Sequence, residues 1–124
     1  MPNPPAILIV DDDPAVRMLL VRTLARQGWR TLPASGGLEA VALLLQYDGQ
    51  IPLAIVDLVM PGVAGLDLAN QLRIDRPTTK VLYISGRAGS VELDSLSHQA
   101  PHAVLQKPFT TADLLDRIRL LLAQ

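Results

Sequence analysis

Residues 51–65 read IPLAIVDLVMPGVAG, and the fold turns on this stretch. Apolar residues lead up to a single acid, Asp57, and the turn-forming Met60-Pro61-Gly62 follows almost at once. A run with no polar alternation suits a central parallel strand covered by helices on both faces. Asp57 then stands at the carboxyl end of that strand, on the edge of an open α/β sheet where ligands and chemistry collect.

Working outward, the same grammar recurs. Upstream, AILIV (residues 6–10) reads as a buried strand that ends in Asp11, Asp12 and Asp13. Pro14 opens a helix that Asp13 can cap, with Val16, Leu20 and Leu24 on one stripe and Gly28 to end it. Arg30 to Pro33 is a short strand, and Ser35 is placed to cap a second helix whose stripe includes Leu38, Val41 and Leu45. Downstream, Leu66, Ala69 and Leu72 are spaced for a third helix that stops before Pro77, and KVLYIS (residues 80–85) is a fourth strand. Residues 86–99 carry glycines, serines and only Val91, Leu93 and Leu96, which predicts a short fourth helix. Residues 102–106 make a fifth strand closed by Lys107-Pro108. Residues 110–123 form an amphipathic helix with Leu114, Leu115, Ile118, Leu121 and Leu122, and with Asp113 and Arg117 spaced for a surface ion pair. All ten prolines fall outside or at the edges of these elements, where an interior one would cost a helix about 3 kcal/mol.

Five alternations of strand and helix predict a parallel sheet with right-handed crossovers and helices on both faces. The 124 residues suffice for one domain that folds alone, with residues 1–5 as a proline-rich flexible arm. No apolar stretch approaches bilayer length, and the first residues lack a basic leader, so the chain reads as cytoplasmic, with no membrane contact. The absence of cysteine excludes disulfides, thiolate zinc sites and a cysteine nucleophile. Eleven basic against twelve acidic residues, with no basic run, give no footprint for direct nucleic-acid binding.

Four of the five strands end in a chemically useful residue: Asp11 and Asp12, Asp57, Ser85 and Lys107. Parallel strands bring these ends to one edge. Three carboxylates against one lysine leave a net negative cluster, in which each like pair at about 4 Å costs about 4 kcal/mol at an effective dielectric of about 20. Such a cluster calls for a cation, and a donor set of oxygens without histidine or cysteine selects Mg²⁺, or Mn²⁺ in its place. With the acids neutralised, an anionic phosphoryl group can approach Asp57 while Lys107 and the Ser85 hydroxyl hold its oxygens.

The stretches ILIVDDDPAVR, VDLVMPG, VLYISG and LQKPF together resemble the signature segments of the response-regulator receiver domain of two-component signalling, in order and over nearly the whole chain. The run YISG with LQKPFT further resembles receivers fused to hybrid sensor kinases. The resemblance implies a flavodoxin-like sheet of order 2-1-3-4-5 with five helices. It implies Asp57 as phosphoacceptor, Asp12 as direct metal ligand, Asp11 as a ligand through water and the Val59 backbone carbonyl as the remaining protein ligand. It also implies Ser85 as the switch hydroxyl, Lys107 as the phosphoryl-binding base and a cis Lys107-Pro108 bond. The implied partner is a sensor histidine kinase or histidine phosphotransfer protein, and the implied readout is the face of the fourth helix, fifth strand and last helix, with a weak dimer through that face as a further expectation. On this reading the chain is a single-domain or excised receiver that catalyses only its own phosphoryl acceptance and hydrolysis and turns over no separate substrate.

Departures from the family pattern carry their own expectations. Val104 stands where relatives commonly have an aromatic switch residue, so the signal must leave by another packing change. Ala64 replaces a frequent acid in the third-strand loop. Val59 and Arg87 occupy the positions that influence hydrolysis, and an apolar Val59 cannot orient the attacking water, which predicts a slowly decaying phospho-form.

Other residues have plainer readings: Asp13 as a helix cap, Trp29 as core or rim, His98 and His102 away from the acids, Arg117 and Arg119 as a solvated face. Two competing functions share parts of the constellation. A haloacid-dehalogenase-like phosphatase would use Asp11-Asp12-Asp13, but after Lys107 only Asp113 and Asp116 remain for its acid pair, and Asp57 would have no role. A phosphorylation-independent docking module would not need the full set of acids, hydroxyl and lysine.

Overall fold

Five short apolar runs pair in parallel in the computed structural model of the chain, which describes residues 3–58, 65–86 and 103–124. Strands β1 (Ala6–Val10) and β3 (Leu53–Asp57) are buried along their whole length. β2 (Arg30–Ala34) flanks β1, while β4 (Lys80–Ser85) and β5 (Val104–Gln106) extend the sheet beyond β3, in the order β2-β1-β3-β4-β5. The register sets Val10 beside Val56, Asp57 beside Ile84 and Ser85 beside Gln106, so the strand ends gather on one carboxyl edge. Pro33 lies within β2, opposite Ile9, and is tolerated because β2 is an outer strand with one side unpaired.

Alternation along the central strands splits the core in two. Ile7, Ile9, Leu53 and Ile55 face Leu20 and Leu24 of helix α1 (Pro14–Arg26) and Leu114, Ile118 and Leu121 of the C-terminal helix, α4 (Thr111–Leu122). Leu8, Val10, Ala54 and Val56 face Ala40 of α2 (Gly37–Gln46) and Leu68 and Leu72 of α3 (Gly65–Asp75). Each fully buried Leu or Ile contributes about 1.5–3 kcal/mol through removal from water, which is why the strands hold their register with few polar contacts. Trp29 is half-buried against the first cluster, a rim position.

The helix boundaries follow local chemistry. The Asp13 side chain accepts the Ala15 N–H at 2.9 Å, Pro14 occupies the first turn, and Gly28, at φ +87°, turns the chain out of α1 where a side chain would be strained. Thr110 and Asp113 form a reciprocal capping box at the start of α4. That use of Asp113 corrects the expected surface pair with Arg117. The Arg117 guanidinium turns inward to the Val104 carbonyl, and Arg119 pairs with Asp116 at 3.1 Å.

α2 departs most from expectation. Leu38 and Leu45 are exposed, and the helix turns Gly37 and Ala40 to the sheet. Its sequence, GLEAVALLLQ, is apolar nearly all round, so spacing alone does not select a face, and the small residues take the close approach to the strands. Ser35 is not the cap either: Gly36 occupies that position, and the Ser35 N–H and O–H donate to the Glu39 carboxylate at 3.2 and 2.7 Å.

At the opposite edge of the sheet, Arg76 donates to the carbonyls of Gly49, Leu44 and Tyr47 at 3.0, 3.1 and 2.7 Å, binding the end of α2 to the chain after α3. The helix expected over residues 86–99 falls almost wholly outside the described residues, as do Val59, Ala64, Arg87, His98 and His102. No helix among the described residues is long and apolar enough to cross a membrane.

Candidate phosphoryl-transfer site

The site is assembled from three strand ends and one turn. Asp11 leaves β1 with its N–H donating to the Ala34 carbonyl at 3.2 Å, and its Oδ1 accepts the Asp13 N–H at 2.9 Å. This ties the acid turn back on itself and leaves Asp11 buried and Asp12 exposed. Asp57, the last residue of β3, is buried at 3% exposure, and Ser85, the last residue of β4, at 1%. Lys107 follows β5, and its N–H donates to the Ser85 carbonyl at 2.8 Å. The Lys107-Pro108 bond is cis, as the resemblance implies.

From there Lys107 reaches inward. Its Nζ lies 3.1 Å from Asp11 Oδ2 and 3.3 Å from Asp57 Oδ2. Burial pulls the pKa of this ammonium down, but contact with Asp11 and the charges of Asp11 and Asp57 outweigh it, so Lys107 stands above the ordinary lysine value. Carboxylate oxygens of Asp11, Asp12 and Asp57 all lie within 4.8 Å of one another. One lysine cannot neutralise three acids at that spacing. Asp11 Oδ2, moreover, is buried with no well-aligned hydrogen-bond donor among the described residues, its close partner there being the Lys107 ammonium at 3.1 Å. One ammonium shared between two buried carboxylates leaves negative charge over, and a hard divalent cation held by oxygens offsets it. The donor set therefore fits Mg²⁺.

Sequence reasoning placed Asp11, Asp12, Asp57, Ser85 and Lys107 at one edge, and the structure brings them there together. It missed Arg17, whose Nη1 donates to the Asp11 carbonyl at 2.7 Å. The available signal was position: an arginine on the fourth residue of a helix points back toward the helix start, and here the preceding strand ends there.

The sequence model of the response regulator receiver domain matches residues 7–119. The chain is 32% identical over 113 residues to the sensor kinase CckA of Brucella abortus, covering 91% of this chain and 12% of that protein. It is 34% identical over 119 residues to the response regulator MprA of a Mycobacterium species, covering 96% of this chain and 51% of that one. The chain thus spans about half or less of the curated relatives it matches. Among solved structures, the response regulator TrrA of Thermotoga maritima, in complex with Mg(2+)-BeF, superimposes with a TM-score of 0.78 at 29% identity over 94% of this chain and 97% of that one. These likenesses favour neither the phosphatase nor the phosphorylation-independent docking module. With its strand order, its acid cluster and a family match over most of its length, the chain belongs to the response regulator receiver domain family.

Proposed function

We propose that Asp57 is the phosphoacceptor of this receiver, taking its phosphoryl group from a phosphohistidine of a sensor kinase or histidine phosphotransfer protein. The observation that carries the reading is Lys107 Nζ bridging Asp11 and Asp57 at 3.1 and 3.3 Å on the same edge as Ser85. A carboxylate oxygen of Asp57 attacks phosphorus, the P–N bond to the donor imidazole breaks with its electron pair passing to nitrogen, and the ring leaves as neutral imidazole because its other nitrogen already carries a proton. Lys107 turns from the acids to the phosphoryl oxygens, and the Ser85 hydroxyl donates to another; both are positioning and charge stabilisation. Asp11, Asp12 and Asp57, with the Val59 carbonyl, are the residues that would hold Mg²⁺. When bound, the ion offsets the charge of the acids and of the incoming group.

Relatives in both a sensor kinase and a response regulator are consistent with a phosphohistidine donor. An apolar cleft lined by Val16, Leu19, Gly86, Lys107, Pro108 and Phe109 adjoins the site at Lys107. Output passes through β5 and α4, where the small, buried Val104 replaces a swinging aromatic ring.

Intact-mass spectrometry with acetyl phosphate tests the reading. The chain should gain one phosphoryl group with Mg²⁺ present, and none with EDTA or in Asp57→Asn. No adduct with Mg²⁺, or an equal adduct in Asp57→Asn, would overturn it.

A further inference from the structure

Arg17 has no part in the phosphoryl chemistry above, yet it is bonded into the acid turn. Its guanidinium, on the fourth residue of α1, donates a 2.7 Å hydrogen bond to the backbone carbonyl of Asp11. The same residue is gripped on its other side by its own N–H to the Ala34 carbonyl, and through its carboxylate by the Asp13 N–H. The Asp11 carbonyl and the Asp12 N–H belong to one planar peptide unit. Fixing that carbonyl therefore fixes the plane from which the Asp12 side chain departs. Asp12 is exposed, unlike its two buried partners, so little packing aims it.

We infer that Arg17 is a positioning residue for the cation site: its bond to the Asp11 carbonyl sets the peptide that directs the Asp12 carboxylate into the cluster with Asp11 and Asp57. This rests on the reading of those acids as the Mg²⁺ site and adds a residue that touches no metal. Charge alone predicts the opposite sign. A guanidinium beside the acids repels a second cation, so deleting it should tighten Mg²⁺ binding if its role were electrostatic, whereas loss of an orienting contact loosens it.

Calorimetric titration of the full chain with Mg²⁺ decides between these signs, with circular dichroism and the thermal midpoint recording that each variant is folded. Arg17→Met should weaken Mg²⁺ binding about tenfold, the scale of lost outer-shell contacts at metal sites. In an Asp12→Asn background the same change should cost nothing further, because the effect passes through Asp12. If Arg17→Met does not fold, Arg17→Gln, too short to keep the bond, carries the same expectation. Unchanged or tighter binding in a folded variant, or an undiminished tenfold loss in the Asp12→Asn background, would overturn the inference and leave the proposed function standing. A parent chain that binds no Mg²⁺ would overturn both.

Discussion

Lys107 and Asp11 face each other across the carboxyl edge of the sheet, Nζ to Oδ2 at 3.1 Å, although Asp11 follows the first strand and Lys107 the fifth. The contact couples the two ends of the chain through a single charge. The lysine sits against the oxygens that a cation would take, with Asp57 3.3 Å away, so the metal and the ammonium compete for one set of carboxylates.

The titration of Lys107 reports this contact. An NMR titration of its ε-carbon in the metal-free protein should show a midpoint above the ordinary lysine range, and Asp11→Asn should lower it, because burial then acts against fewer opposing charges. A lysine raised in the folded state stabilises fully below its unfolded value of about 10.4, and that stabilisation is lost only as pH rises through the higher folded value. The pair therefore holds constant across neutral pH. A midpoint at or below the ordinary value would contradict the geometry.

Replacing the lysine should separate binding from chemistry. In Lys107→Met, Mg²⁺ should bind more tightly, since the competing ammonium is gone, while phosphoryl acceptance from acetyl phosphate slows about a hundredfold, the usual scale for removing one donor to developing charge. Calorimetry and mass-detected kinetics on the same variant check the two directions. Loss of Mg²⁺ affinity would mean that the lysine organises the acids and does not compete for them.

Asp12 is the exposed acid of the cluster, lying close to two buried carboxylates. Asp12→Asn should raise the stability of the metal-free protein by about 1 kcal/mol, the water-screened cost of one like pair. It should also shrink, without abolishing, the rise in thermal midpoint that Mg²⁺ gives the parent through preferential binding to the folded state, since Asp11 and Asp57 remain. Thermal melts with and without Mg²⁺ test both halves; a destabilised variant whose response to Mg²⁺ equals the parent's would contradict them.

Away from the site, Arg76→Ala should cost about 2–3 kcal/mol in urea unfolding. The guanidinium serves three carbonyls around the end of α2, where a cation also meets the negative end of the helix dipole. Arg76→Lys should recover only part, because an ammonium cannot reproduce the planar fork.

The strand ends were readable because each apolar run stops at polar residues, and parallel pairing does the rest: Asp11, Asp57, Ser85 and Lys107 needed no knowledge of packing to be placed together. The face of α2 was not readable, since Leu38 and Leu45 are more apolar than the Gly37 and Ala40 that turned inward, and only the close approach to the sheet selects the small residues. Arg117 and Arg17 escaped for a related reason. A long cationic side chain reads as solvated in sequence, yet both reach backbone carbonyls at strand ends that become neighbours only in the fold.

The account stands on an acyl phosphate at a single residue. Phosphorylation of the chain with acetyl phosphate and Mg²⁺, borohydride reduction of the product and peptide sequencing by mass spectrometry locate it directly, because reduction of an aspartyl phosphate leaves homoserine. The account predicts homoserine at position 57 alone. Homoserine at position 11 or 12, or a borohydride-resistant phosphate ester on Ser85, would contradict it.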